Sequence, residues 1–284
     1  VRTIFAEVYA DHPEVLMTRI LHFSFLALAG ILLILAPVLA QTTHYHAWWN
    51  DPAPGAPPAG PPTKGLPPLH VAGNRILDDL GVPFRAHGVA VADPDKIEHQ
   101  GQWSKDLFVR VHALGANVVR IPVHPVAWRG RTPAAYLTLL DSAVAWCTDL
   151  GMYAMIDWHS IGNLSMELFQ DPMYNTTKTE TYNFWRTIAR HFRGNTTPAF
   201  YELFNEPTLF RGELGSMAWS EWKRLNENII RLIRAHDGTK IPLVAGLDWA
   251  YDLTPLADDP LDLEGVVYVT HPYPHKRTPP YEPK

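Results

Sequence analysis

YELFNEP, residues Tyr201–Pro207, decides how this chain is read. Its first four residues read as a buried strand that runs straight into Asn205, Glu206 and Pro207, so a carboxylate stands where the strand stops. Working outward, AFYELF (199–204) is one of six such runs, with FRAHGVAV (84–91), NVVRIPV (117–123) and MYAMI (152–156) before it and IPLVAGL (241–247) and VVYV (266–269) after it. Between them apolar residues recur at helical spacing: Trp103, Leu107, Val111 and Leu114 up to Gly115; Leu137, Leu140, Val144 and Cys147 up to Gly151; Tyr182, Trp185, Ile188 and Phe192; then Trp219, Trp222, Leu225, Ile229 and Ile233. Thr132 followed by Pro133 predicts an N-cap with proline at the first helical position. Short β runs alternating with helices are the mark of βα units around a parallel sheet. No Gly-rich phosphate loop follows the first strand, which argues against a dinucleotide-binding sheet. The expected fold is α/β, a (β/α)8 TIM barrel with about six of its eight βα units present, since such barrels usually take about 250 residues.

Composition narrows the function classes. The chain has 284 residues, 46% hydrophobic and 19% charged, enough for one sizeable core. Its formal charge is -5 and no run of Lys or Arg occurs, so no nucleic-acid surface is expected. The single cysteine, Cys147, excludes an intramolecular disulfide framework and a multi-cysteine zinc site, and its place in a helical stripe makes it a core residue. Ten Trp and eleven Tyr supply flat rings of the kind that sugar-binding clefts use.

The first part of the chain reads differently. From Met17 the run MTRILHFSFLALAGILLILAPVLAQ has a basic start at Arg19, an apolar stretch from Ile20, and Val38-Leu39-Ala40 as a small-residue cleavage site. The expectation is a signal peptide over 17–40, preceded at 1–16 by an upstream extension that is not native to the protein. An uncleaved anchor is the alternative, because Ile20 to Ala40 is long enough to span a bilayer. Residues 41–68 form a Pro-rich linker, with DPAPGAPPAGPPTKGLPP at 51–68, and folded structure is expected over 69–284. The product would be secreted, extracellular or periplasmic, monomeric, and free of the membrane after cleavage.

In barrels of this kind catalytic groups sit at the C-terminal ends of the strands. Those ends carry Arg120 within the second strand, Asp157-Trp158-His159 at the third, Asn205-Glu206 at the fourth, Asp248-Trp249 at the fifth and His271-Pro272-Tyr273 at the sixth. Each has a plain structural explanation alone: Arg120 could pair with Glu202 inside the barrel, His159 could cap a helix, and Glu206 could be a solvated loop carboxylate. Together they converge on one rim.

VVRIPV, DWH, YELFNEP and HPYP, in that order, resemble glycoside hydrolase family 5, the cellulase-type barrel. The resemblance covers Val71 to Tyr273. It implies a retaining glycosidase acting on a β-linked polysaccharide, most simply an endo-β-1,4-glucanase, with no cofactor and no metal. By similarity, Glu206 is the acid/base, Asn205 binds the sugar 2-hydroxyl, and His271 and Tyr273 support the acid/base and the nucleophile. Arg120 matches the arginine that holds the nucleophile ionised, and His159 matches a cleft histidine that contacts substrate. Trp158 and Trp249 are the aromatic residues expected to touch sugar.

The chain departs from the family pattern in one respect. The nucleophilic glutamate of the family ends a seventh strand, and no such strand follows the sixth, so the nucleophile is expected to be absent from this chain and the 284 residues alone to be inactive. Glu282 lies in a Pro-rich stretch, Glu202 is a layer too deep, and Glu167, after the third strand, is the best remaining carboxylate. A secreted carbohydrate-binding barrel without catalysis is a competing reading. A metal-dependent hydrolase using Asp157, His159, His271 and His275 is another.

Overall fold

The four inner β-rich runs are apolar along nearly their whole length and almost wholly buried, as strands covered on both faces of a parallel sheet must be, while the first and last are more exposed. In a computed structural model, which describes residues 65–208 and 217–273, six strands lie side by side in chain order. They are β1 (Gly88–Ala90), β2 (Val118–Val123), β3 (Tyr153–Trp158), β4 (Phe200–Glu202), β5 (Ile241–Ala245) and β6 (Val267–Val269), every adjacent pair parallel. Helices α1 (Lys105–Ala113), α2 (Pro133–Leu150), α3 (Lys178–His191) and α4 (Trp219–His236) make the first four crossovers. This is the βα arrangement of a TIM barrel, with six strands among the described residues. Residues 1–64, which hold the expected extension, the signal peptide and most of the linker, lie outside the described residues. No helix among the described residues is long and apolar enough to cross a membrane.

Local signals act where the sequence places them. The Thr132 side chain accepts from the Ala135 N–H at 3.3 Å, and Gly151 takes the left-handed conformation (φ 70°) that ends α2. Gly88 is required for a different reason: a Cβ there would lie 1.9 Å from the Val118 carbonyl oxygen on the neighbouring strand. The stripe expected for α1 is displaced. Phe108 and Val111 are its buried residues, while Leu114 lies past the helix end and is 80% exposed.

Several elements have no precursor in the periodicity. Strands Leu69–Ala72, Arg75–Asp78 and Pro83–Phe84 form a small antiparallel sheet ahead of the barrel. Leu69 packs with Val118, Tyr153, Phe200 and Ile241, which are the first residues of β2 to β5, so this sheet plugs the N-terminal end of the barrel. The fold therefore engages the chain slightly before Leu69: the Tyr153 hydroxyl donates to the Pro67 carbonyl at 2.6 Å, and the Thr196 hydroxyl to that of Leu66. Short helices Pro94–His99 and Pro125–Gly130 follow β1 and β2, and strands Ile161–Asn163, Leu168–Phe169 and Glu206–Pro207 build a second small sheet above the rim.

Half of the tryptophans among the described residues are core. Trp128, Trp158, Trp185 and Trp222 are fully buried. Trp158 does not reach a cleft, contrary to expectation: it stacks on Phe184 at 4.1 Å and its indole N–H donates to the Thr181 hydroxyl at 3.2 Å. Alternation explains the correction, because side chains of successive strand residues point to opposite faces, and with Asp157 turned inward Trp158 is turned out toward α3. Cys147, on α2, is fully buried, and burial pushes its thiol up to about 12. Replacing Trp158 with Ala should cost about 3–5 kcal/mol of stability in chemical denaturation of the intact protein, as expected for a buried aromatic.

Candidate active site

The site is organised by Arg120, on β2. The register sets Asp157 of β3 beside Glu202 of β4, two residues further along the sheet than the Arg120–Met155 rung. The guanidinium reaches up to both. Its Nε donates to Glu202 Oε2 at 2.6 Å and its Nη2 to Glu202 Oε1 at 2.9 Å and Asn205 Oδ1 at 2.8 Å, while Asp157 Oδ2 lies 2.9 Å from Nη2 as an ion pair. The Arg120–Glu202 pairing weighed from the sequence is therefore present, and it extends to two further residues. Asp157 is fully buried; its Oδ2 also meets His159 Nδ1 at 2.5 Å, while its Oδ1 has no partner among the described residues.

Glu206 follows Glu202 by four residues and opens the short strand Glu206–Pro207. Its backbone is held in the small upper sheet, where its N–H donates to the Ser160 carbonyl at 3.1 Å and Thr208 N–H to Gly162 at 2.9 Å. His271, two residues past β6, bridges the two glutamates: Nδ1 lies 3.1 Å from Glu206 Oε1 and Nε2 lies 3.2 Å from Glu202 Oε1. The His271 N–H in turn donates to the Ala250 carbonyl at 3.1 Å. Asp248, Trp249 and Ala250 all adopt left-handed φ values of 57–60°, an unusual run for non-glycine residues and one that marks a locally strained loop. Trp249 is half-buried there, and its indole N–H donates to Gln170 Oε1 at 2.8 Å. The Tyr273 backbone N–H donates to the Tyr251 hydroxyl, and the Tyr273 side chain is 41% exposed.

The structure thus brings Arg120, Asn205, Glu206, His159 and His271 together at the C-terminal rim, with Tyr273 and Trp249 on the β5–β6 side. Trp158 is excluded. Glu167 is exposed, and its Oε1 accepts from the Lys178 N–H at 2.9 Å, so it caps α3 and is occupied away from the cluster. Sequence reasoning missed Asp93, His124 and Tyr174, whose rings and carboxylate continue the rim beyond His159. His124 sits directly after NVVRIPV, so the strand-end rule applied to that strand would have found it. Among the described residues no three His, Cys, Asp or Glu side chains gather as a metal ion would need; His275 lies outside them.

A sequence model described as Cellulase (glycosyl hydrolase family 5) matches residues 81–279, most of the chain. The chain belongs to glycosyl hydrolase family 5. It is similar to the β-glucanase SdGluc5_26A from Saccharophagus degradans, whose crystal structure contains cellotetraose: 46% identity, TM-score 0.76, covering 83% of this chain and 70% of that one. Endoglucanase A of Butyrivibrio fibrisolvens is 30% identical over 165 residues, 56% of this chain and 34% of its own length. An endoglucanase of Clostridium saccharobutylicum is 27% identical over 214 residues, 72% of this chain and 43% of its own length. The chain therefore spans less than half the length of these curated relatives.

In this family 5 barrel the electrostatics follow from the packing. Burial pushes the Glu202 carboxyl up, but the Arg120 charge and hydrogen bonds, with those of His271, overcome that and hold it down at about 2. Burial also opposes charging of Arg120, yet Asp157 and Glu202 raise it above its ordinary value. His271 is pushed down by burial and lifted more by its bonds to Glu202 and Glu206, reaching about 9. A depressed carboxylate stabilises the fold fully above pH 4.5 and less as pH falls toward 2; a raised histidine does so fully below pH 6.5 and less as pH rises through 9. Thermal denaturation should therefore show its most stable range between those limits, and His271→Gln should flatten the alkaline limb. Arg120→Ala, which leaves Glu202 and Asp157 buried without their cation, should cost about 3–5 kcal/mol in denaturant titration.

Proposed function

We propose that the intact protein is an exported retaining glycosidase that cleaves O-glycosidic bonds inside a β-linked polysaccharide, an endo-β-1,4-glucanase in the first instance. The observation that carries this reading is the placement of Glu206: a carboxyl at the end of β4, fixed through one oxygen by His271, beside an Asn205 whose Oδ1 is taken by Arg120. That arrangement suits a general acid/base. With Oε1 on His271, Oε2 is the oxygen left to protonate the departing glycosidic oxygen and, in the second step, to take a proton from water. With Oδ1 on Arg120, Asn205 has its Nδ2 donors left for the sugar 2-hydroxyl, a bond that strengthens as the oxocarbenium ion develops.

Retention needs a second carboxylate about 5 Å from the first, to attack the anomeric carbon. Glu202 and Asp157 are both bound by Arg120 at the base of the cluster, and Glu167 caps α3, so we assign the attack to a carboxylate outside the described residues. Arg120 and Tyr273 would then flank it from below and from the β6 side. His159 and Trp249 would contact sugar at the rim, and the reaction requires no cofactor. The endoglucanase relatives and the cellotetraose bound by SdGluc5_26A support a β-glucan as substrate.

The test is reducing-sugar release from a soluble β-1,4-glucan by the intact protein, with the product anomer followed by NMR. Glu206→Gln should lower kcat by about 10²–10⁴-fold with little change in glucan binding. Full activity in that variant would remove Glu206 from the chemistry. Glucan binding by the wild type without any release of reducing ends would make the protein a carbohydrate-binding barrel instead.

A further inference from the structure

The rim does not end at His159. His124 follows β2 directly, as His159 follows β3, and the two rings lie 4.5 Å apart at 56° to each other. Each is pinned in the same way, through Nδ1 to a buried aspartate: His159 to Asp157 at 2.5 Å and His124 to Asp93 at 3.0 Å. Asp93 is 4% exposed, and its oxygens also accept from the backbone N–H groups of His124 and Asp95 and from the buried Tyr136 hydroxyl, each at 2.8 Å. Every neighbour of this carboxylate donates to it, so in the neutral imidazole it is the His124 Nδ1 that carries the proton toward Asp93 and Nε2 that keeps the lone pair. Neither ring has a hydrogen-bond partner at Nε2 among the described residues, and both side chains keep surface open, 14% for His124 and 20% for His159.

Tyr174 completes this patch. Its ring stacks on His124 with centroids 5.9 Å apart at 27°, and lies 6.2 Å from His159. Burial and then the nearby Glu206 charge raise its hydroxyl, which sets the patch on the Glu206 side of the rim. Direction along the cleft follows from the partners of the Asn-Glu pair. Glu206, the proposed proton donor to the leaving group, is held from β6 by His271, whereas Asn205, the proposed binder of the reacting sugar, is held from β2 by Arg120. On that assignment of roles, the glycone runs from β4 toward β2, over His159 and then His124.

We propose that His124 is a specificity-determining residue of this cleft. Its Nε2 accepts a hydrogen bond from a hydroxyl of the sugar unit next to the reacting one on the glycone side, Tyr174 forms the adjoining wall, and Asp93 is the positioning residue that fixes the tautomer. This rests on the glycosidase reading, and the experiment separates the two. With the intact protein, kcat/KM is measured on an aryl β-glucoside, which lacks that second unit, and on an aryl β-cellobioside, which has it. His124→Phe, which keeps a ring against Tyr174, should lower kcat/KM on the cellobioside about 10-fold more than on the glucoside, chiefly through KM, as for a site built to bond a hydroxyl. Asp93→Asn should reproduce the pattern more weakly. Equal losses on both substrates, or none, would overturn the assignment.

Imidazole 15N NMR of the wild type gives a reading that needs neither folding of a variant nor turnover. The expected result is a His124 ring protonated at Nδ1 whose Nε2 resonance moves on adding cellobiose. A ring protonated at Nε2, or one that ignores cellobiose, would sink the proposal. A protein that cleaves neither glycoside while cellobiose still moves Nε2 would retire the hydrolase reading and leave this one standing.

Discussion

One guanidinium holds the rim of this barrel together. Arg120 enters a space lined by two carboxylates, Glu202 and Asp157, whose exposures are 2% and 0%. Neither could remain charged there alone, because moving a carboxylate out of water costs several kcal/mol that only a well-placed cation and hydrogen bonds return. Arg120 meets both, and still has a donor for Asn205. The planar fork is what allows it: a lysine ammonium would present a point charge without the paired geometry that Glu202 receives.

From that anchor the arrangement spreads outward in layers. The parallel register delivers Asp157 and Glu202 side by side, and Arg120 links β2 to β3 and β4 through their side chains as well as their backbones. Above them, His271 ties β6 to both glutamates, and the small upper sheet holds the backbone of Glu206 against Ile161. Below, the antiparallel sheet around Leu69 closes the opposite end of the barrel. The proposed chemistry thus sits on groups whose orientation is determined from two sides, as preorganised catalysis requires.

What was legible in the sequence was whatever depends on local period and spacing. The strand runs, the Thr132-Pro133 helix start, the Gly151 stop and the ordering of polar residues at strand ends all follow from patterns a few residues long, and the structure places them accordingly. Trp158 departs from the expectation because it adjoins the rim residue His159 in sequence but not in space, the faces of a strand alternating from one residue to the next. Leu114 departs from it because a leucine just beyond a helix continues the apolar spacing without continuing the helix. Asp93, His124 and Tyr174 come from three different loops, and only their meeting gives them meaning.

The sequence by itself therefore determined the βα alternation, the family pattern and the carboxylate at the end of YELF, because period and chain order are one-dimensional properties. Tertiary structure alone decided which groups share a proton or a charge: that Arg120 serves Asn205 as well as two carboxylates, that His271 bridges Glu202 and Glu206, and that His124 faces the rim while Trp158 faces α3. Those outcomes depend on distances of a few ångströms between residues as many as 85 positions apart, and Coulomb and hydrogen-bond energies are set by that separation in space, which chain order does not encode.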